Sequence, residues 1–494
     1  MLNKPNSENL EQLLQSHFNI ANFRGSQKEV IQHLLTGQPA LALMPTGQGK
    51  SLCYQFFAKT QPGLVVVISP LIALIDDQTQ KALDQGIAAT GLHSGLPAEL
   101  KTQRIKKLTA GDYKLLLVTP ERFRKDDFRQ AIKSPQNQIQ LLAIDEAHCV
   151  SQWGHDFRPD YGTLYETHDF LGRPPLLALT ATATPDVQKD ILQKLRSPQM
   201  KIFCRGVARD NLALQVEDVY GWTEKTEFIL KHLQKNPGPG IIYVTLIDSL
   251  KKLSNELRSK NVDHLVYHGD LPSHLRKKNQ KQFVSGSGLL MLATPAFGLG
   301  IDKADIRWVI HSEIPGSLEA YYQEVGRAGR DGLPSEGILL FDEEDVSIQM
   351  EFLKWSHPEV SFVTHLYQTL MDKKDQIQAQ GLEFLRSQMS FKNRRDYRVD
   401  SGLRILERLG FIQFTLNPDQ ILEKEGIRYE ILQPLNMDLL NQDLSPENLK
   451  RQNMKLLKML QWGKNSDQCR MQIIYEYFGF LDSKPCGRCD VCGA

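Results

Sequence analysis

The sequence predicts an α/β protein of two parallel-sheet lobes, followed by a helical zinc-binding subdomain that carries an inserted winged-helix-like segment. Three observations lead there. Short apolar runs alternate with helical stretches twice over, first across residues 1–207 and again across 208–345, which is the pattern of parallel sheets covered by helices. Four of the seven cysteines, Cys469, Cys486, Cys489 and Cys492, gather in the final subdomain, 447–494. Between the second lobe and that cluster, 346–446 show helical and then strand-like spacing. Apolar content of 41% and charged content of 24% are those of an ordinary globular chain, which excludes a disordered or fibrous class.

In the first lobe the apolar run 40–44 reads as a buried strand. The loop that follows, Met44, Pro45, Thr46, Gly47, Gln48, Gly49, Lys50 and Ser51, opens a helix. Backbone N–H groups at such a helix start can cradle phosphate oxygens. Thr46, Gly47, Gln48 and Gly49 would form the cradle, Lys50 would hold the β- and γ-phosphates of ATP, and Ser51 would give Mg2+ a hydroxyl. Met44 stands where the strict phosphate-loop pattern has its first glycine, so the loop alone is compatible with an ordinary turn. A second strand, 141–144, ends in Asp145, Glu146, Ala147 and His148. There Asp145 would reach the same Mg2+, and Glu146 would polarise the attacking water. Further strands at 64–68, 115–118 and 176–179 also end in polar clusters, Ser69 with Pro70, Thr119 to Glu121, and Thr180 with Thr182. Open α/β sheets bind ligands at these carboxyl ends.

The second lobe has candidate strands at 240–244, 264–268, 289–292, 308–310 and 337–341, and no second phosphate loop. Instead it carries Arg327 and Arg330, three residues apart. Arginines supplied from a facing lobe can stabilise charge on a transferring phosphoryl group; the bland alternative is a solvated basic helix end.

The inserted segment has helical apolar spacing at Val399, Leu403, Leu406 and Leu409, then strand-like runs at 411–416 and 428–432, with turn residues around 417–420 and 423–426 between them. Over 386–410 seven basic residues face three acidic ones, a difference of +4. That is the charge of a phosphate-contacting face or of a solvated helix. In the last subdomain, 470–480 read as a helix linking Cys469 to the other three cysteines. Four thiolates at this spacing suit tetrahedral Zn2+, with a disulfide framework as the weaker alternative.

Together these residues resemble the RecQ family of DEAH-type superfamily 2 helicases. The resemblance runs over about 15–345 and again over about 450–492. It rests on Phe23, Arg24, Gly25, Ser26 and Gln27; on Ser69 to Ile72; on the unbroken stretch 145–161; on 293–303; on 321–332; and on Cys469 with Arg470, Tyr477, Phe478 and Gly479. It implies that both lobes are RecA-like, that Gln27 bonds the adenine edge with Arg24 against the face of the base, and that 151–161 form a loop coupling DNA to the nucleotide site. The residue types agree: Trp153 and Phe157 offer rings to unpaired bases, Arg158 a guanidinium, and His155 a polar neighbour that disfavours a packed core. The family commonly has an aromatic residue where this chain has Ile20, which implies modest ATP affinity and base selectivity.

The reading is thus an ATP-dependent DNA helicase using ATP, Mg2+ and Zn2+. By resemblance it moves 3′ to 5′ in recombination or repair, with single-stranded DNA and duplex junctions as partners. Single-strand-binding or recombination proteins would be natural companions, and no residue singles one out. A nucleic-acid-stimulated translocase or RNA-directed ATPase without DNA unwinding is the alternative enzyme, and a catalytically silent DNA-binding scaffold the alternative of another class. Net charge is +1, so nucleic-acid binding has to come from local patches. The longest apolar stretch, 63–75, is interrupted by Ser69 and Pro70, and no signal segment opens the chain, so no membrane partner and a cytoplasmic location are expected.

Overall fold

The computed structural model describes residues 10–45, 47, 49–151, 159–204, 209–286, 288–298, 301, 303–389, 397–414, 427–480 and 484–493. It divides into two compact units, one of residues 1–210 with 471–485, the other of 211–470 with 486–494.

The first unit is built on seven strands: β1 (Ala40–Leu43), β2 (Leu64–Ile68), β3 (Ala89–Leu92), β4 (Leu115–Val118), β5 (Ile139–Ile144), β6 (Leu176–Thr180) and β7 (Lys201–Cys204). They lie in the order β3-β4-β2-β5-β6-β1-β7, and every pairing is parallel. Parallel strands covered on both faces carry near-continuous apolar sequence, and the side chains divide by the two-residue period. Ala40, Ala42, Val65, Val67, Leu141 and Ala143 join one core with Val30, Cys53, Phe56 and Phe57 from the helices Gln27–Leu35 and Lys50–Thr60. Leu41, Leu43, Val66, Ile68, Leu142 and Ile144 join the opposite core with Leu108, Phe128 and Ile191. Ile20 packs against the first of these cores. The late segment 471–485 is fitted closely to this unit: a Cβ on Gly479 would stand 2.8 Å from Pro185 Cγ.

The second unit holds six parallel strands, β8 (Leu212–Asp218), β9 (Gly240–Tyr243), β10 (Leu265–Tyr267), β11 (Leu290–Ala293), β12 (Trp308–His311) and β13 (Ser335–Phe341), in the order β10-β11-β9-β12-β13-β8. One face buries Ile242, Leu292, Trp308, Ile310 and Leu340 with Ile229, Leu250 and Leu253 from the helices Gly221–Lys235 and Ile247–Ser259. Toward the other face the helix Pro446–Lys464 approaches so closely that a Cβ on Gly463 would lie 2.5 Å from Phe341 Cδ2.

The inserted segment has its own core, in which Val363, Leu366, Leu385, Leu403 and Leu406 from three helices pack with Phe411, Tyr429 and Leu440. An antiparallel pair, β14 (Ile412–Phe414) and β15 (Tyr429–Ile431), follows the helix Arg398–Arg408. The turn residues 417–420 and 423–426 lie outside the described residues. Three of the seven basic residues over 386–410 are engaged within the segment, and Arg404 is exposed. Arg386 is buried and paired with Glu383 and Asp400, Arg408 pairs with Asp443 at 2.5 Å, and Arg398 lies over the Phe362 ring. Lys392, Arg394 and Arg395 fall outside the described residues. Among the described residues no helix is long and apolar enough to cross a membrane.

Candidate functional site

Strands β5, β6 and β1 are neighbours, so the three polar clusters that follow them meet at one edge of the first sheet. After β1 the backbone turns through Gly47 (φ +85°) and Gly49 (φ +70°), left-handed conformations that a side chain resists. Gly49 is doubly constrained, because a Cβ there would fall 2.8 Å from Gln27 Nε2. Gln27 is buried and tied at both ends of its amide: Nε2 donates to Gly49 O at 2.9 Å, and Oε1 accepts from Arg24 N at 2.8 Å. It fastens the segment ahead of the loop to the loop itself, while Arg24 stays exposed. Lys50 and Ser51 then open the helix Lys50–Thr60, whose N-terminal N–H groups are an anion seat. Thr46 and Gln48 lie outside the described residues.

Lys50 Nζ stands 3.5 Å from Glu146 Oε1, both side chains largely buried. Glu146 adopts a left-handed backbone (φ +49°), uncommon for a residue with a side chain and of the kind that clusters at active sites. Its other oxygen is 3.4 Å from His148 Nδ1, which also meets Thr180 Oγ1 at 3.0 Å, so β5 and β6 are joined through this histidine. Desolvation, reinforced by the charge of Glu146 and opposed by Lys50, lifts the Asp145 carboxyl to about 6. Among the described residues two adjacent carboxylates share one lysine, a negative charge that fits a dication. Asp145 and Ser51 are the groups that would hold Mg2+.

Segment 152–158, with Trp153, His155, Phe157 and Arg158, lies outside the described residues. Residues on either side of it are placed. Ser151 Oγ donates to Asp190 Oδ2 at 2.6 Å, and the Tyr161 hydroxyl donates to Asp145 O at 3.3 Å. At the same sheet edge the hydroxyls of Ser69, Thr119 and Thr182 are buried with no hydrogen-bond partner among the described residues.

In the second unit Arg327 and Arg330 follow the helix Leu318–Val325. Arg327 is buried beside the Tyr243 hydroxyl, which it hydrogen-bonds, and Arg330 Nη1 donates to Ile301 O at 2.7 Å. Neither is a solvated helix end. His311 Nε2 meets Glu324 Oε2 at 2.7 Å, a buried pair that sequence reading did not single out.

The four cysteine sulfurs lie within 4.8 Å of one another. The closest approaches are 3.3 Å (Cys489 to Cys492), 3.6 Å (Cys486 to Cys492) and 3.9 Å (Cys489 to Cys469). A tetrahedron of thiolates at 2.3 Å from Zn2+ has edges of about 3.8 Å, so the set fits the metal. Cys486 N donates to Cys469 Sγ and Gly487 N to Cys492 Sγ, each at 3.2 Å, bonds that favour thiolate. Burial pushes the Cys486 thiol up to about 12. It opposes ionisation of Cys492 as well, but hydrogen bonds from its neighbours overcome that and draw Cys492 down to about 6. Asp490, also missed in the sequence, ties the knuckle to the second sheet. Its carboxylate takes Arg470 Nε and Nη2, each at 3.0 Å, and accepts Val216 N at 2.9 Å.

Comparison with known proteins finds three family models in chain order: DEAD/DEAH box helicase over 24–191, helicase conserved C-terminal domain over 224–332, and RecQ zinc-binding over 434–493. The probable ATP-dependent DNA helicase RecS of Bacillus subtilis is 39% identical over 349 residues, which are 69% of this chain and 70% of that one. The chain belongs to the RecQ family. The ATP-dependent DNA helicase RecQ of the same organism is 40% identical over 355 residues, 71% of this chain but only 59% of the relative, so this RecQ-family chain spans little more than half of that protein. Among solved structures the helicase MrfA bound to DNA is similar in fold, with a TM-score of 0.56 and 16% identity over 88% of this chain and 64% of that one. The zinc-binding match begins at 434, ahead of the 447 expected from sequence, and takes in the helices Met437–Asp443 and Pro446–Lys464.

Proposed function

We propose that this RecQ-family chain is an ATP-dependent DNA helicase that couples Mg2+-dependent ATP hydrolysis to 3′ to 5′ movement on single-stranded DNA and unwinding at duplex junctions, in recombination or repair in the cytoplasm. The observation that carries the reading is the meeting of Lys50, Asp145 and Glu146 beyond the ends of β1 and β5, which flank β6, with Lys50 held against Glu146. When nucleotide enters, the Lys50 ammonium turns from Glu146 to the β- and γ-phosphates, and Glu146, released, orients the attacking water. Bound Mg2+ would neutralise phosphate charge and be held by Asp145 and Ser51. Gln27 and Arg24 would receive the adenine, with the loop 46–49 around the phosphates. Arg327 and Arg330 would supply positive charge to the transferring group.

The DNA side is supported by the hydrogen bond from Tyr161, which follows 152–158 in the chain, to the carbonyl of Asp145. Stacking of a base on Trp153 or Phe157, with His155 and Arg158 alongside, would then be felt at the carboxylate strand end. Unwinding of tailed duplexes with 3′ or 5′ overhangs, in DNA and RNA versions, tests the proposal against Lys50→Ala. Strand separation on the 3′-tailed DNA alone is the expected result. Hydrolysis without separation, or no hydrolysis beyond that of Lys50→Ala, overturns it.

A further inference from the structure

Four rings stand in file at the second sheet, with an arginine at each end. Arg470 Cζ lies 5.5 Å above the Trp462 ring. Trp462 meets Tyr321 at 4.5 Å between centroids, Tyr321 meets His311 at 5.0 Å, and His311 stacks on Tyr243 at 5.3 Å and 22°. At the far end the Tyr243 hydroxyl donates to Phe297 O at 2.6 Å and takes Arg327 as its other partner. All four rings and Arg327 are buried, and each spacing is that of a favourable aromatic pair. The rings come from four elements: the helix Pro446–Lys464, the helix Leu318–Val325, and the ends of β12 and β9.

Both ends of the file are braced. Arg470 Nη1 donates to Trp462 O (2.6 Å) and Gly463 O (3.1 Å), its other nitrogens grip Asp490 beside the zinc ligand Cys489, and Trp462 Nε1 returns a bond to Arg470 O at 3.0 Å. Gly463 leaves no space between this helix and Phe341, so the height of Trp462 above the sheet is set by the helix backbone resting on the Phe341 ring. At the other end His311 holds Glu324, whose carbonyl accepts the N–H of Arg327 at 3.2 Å. A close-packed interior passes a displacement on instead of absorbing it. A shift of Trp462 therefore reaches both the turn that carries Arg327 and the hydroxyl that orients its guanidinium.

We infer that Trp462 is a positioning residue for Arg327: through Tyr321, His311 and Tyr243 it sets the place of the guanidinium. The inference rests on the reading of Arg327 as the group that stabilises phosphoryl charge, and it goes further by naming what aims that group. A misplacement of about 1 Å far from the chemistry can cost about a hundredfold in rate.

The test uses the full, zinc-loaded chain and two readouts. Trp462→Leu should lower the DNA-stimulated kcat about tenfold or more with KM for ATP little changed, Trp462→Phe should restore most of it, and Trp462→Leu combined with Arg327→Ala should be no slower than Arg327→Ala alone. Independently, the Arg327 Nε–H resonance, assigned by its absence in Arg327→Ala, should move in Trp462→Leu and return in Trp462→Phe, at unchanged zinc content. Should Trp462→Leu not fold, Trp462→Met also removes the ring and, with about the volume of leucine, offers a flexible chain that adapts to an irregular gap. A resonance unmoved by loss of the ring, or a double variant slowed by the product of the single losses, overturns the inference. If Arg327→Ala leaves kcat intact while the resonance still moves, the phosphoryl role of Arg327 fails and the positioning stands.

Discussion

Gly49→Ala separates two costs that the phosphate loop imposes on one residue. Its φ of +70° costs a side chain about 1–2 kcal/mol, partly offset by about 0.4–1 kcal/mol from the stiffer unfolded chain. The new Cβ also falls 2.8 Å from Gln27 Nε2. Gln27 can yield only by giving up its bonds to Gly49 O and Arg24 N, each contributing about 1 kcal/mol. The sum is a local loss of about 2–3 kcal/mol, a factor of about 30–150 in the population of the loop conformation that receives phosphate. Gly37→Ala is the matched control, since Gly37 has φ +83° and nothing within 4 Å of a Cβ, so it reports the backbone cost alone. Thermal unfolding and titration with a fluorescent ATP analogue in Mg2+ should show both variants slightly destabilised and only Gly49→Ala binding nucleotide at least tenfold more weakly. Equal nucleotide affinity in the two variants would refute the reasoning.

Three further outcomes are expected. Cys489→Ser should lower zinc to well under one equivalent and reduce solubility while the soluble fraction still hydrolyses ATP; metal analysis beside ATPase assays checks this, and undiminished solubility without zinc would contradict it. Asp345 is buried with Lys225 (2.6 Å) and near Glu313 and Asp342, and desolvation raises its carboxyl from 3.8 to about 7. A carboxyl held above its unfolded value contributes stability that is full below about pH 4 and is lost as pH rises through 7, on the order of 4 kcal/mol. Melting temperature should therefore fall from pH 5 to pH 8, and Asp345→Asn should flatten that slope because Asp342, at 3.1 Å, still pairs with Lys225; an unchanged slope would speak against it. Phe157→Ala should keep basal ATPase and lose stimulation by single-stranded DNA, measured as the ratio of the two rates, and a preserved ratio would remove the coupling role.

The central strands were legible because burial on both faces leaves an uninterrupted apolar run, as in Leu64–Ile68 and Leu115–Val118. The strands not foreseen carry weaker signals: Ala89–Leu92 holds Thr90 and Gly91, Lys201–Cys204 is an edge strand with Lys201 and Ile202 exposed, and Leu212–Asp218 alternates along the other sheet's edge. Lys50, Asp145, Glu146 and the four cysteines could be read from spacing because phosphate and zinc chemistry constrain neighbours along the chain. His148 with Thr180, Arg470 with Asp490, and the ring file could not, since their partners are brought close only by strand order and helix packing. The same holds for part of the +4 over 386–410. A charge count does not see that Arg386 folds onto Asp400 fourteen positions away.

The first compact unit is discontinuous: its sheet is complete in sequence by Cys204, yet 471–485 belong to it, with Gly479 set against Pro185. During synthesis the seven-stranded sheet can form long before that segment leaves the ribosome, and until then the surface around Pro185 lacks its own cover. The nascent chain therefore carries its first lobe unfinished through the making of everything between. A fragment cut after residue 210 would resemble that birth intermediate more than it resembles a free-standing domain.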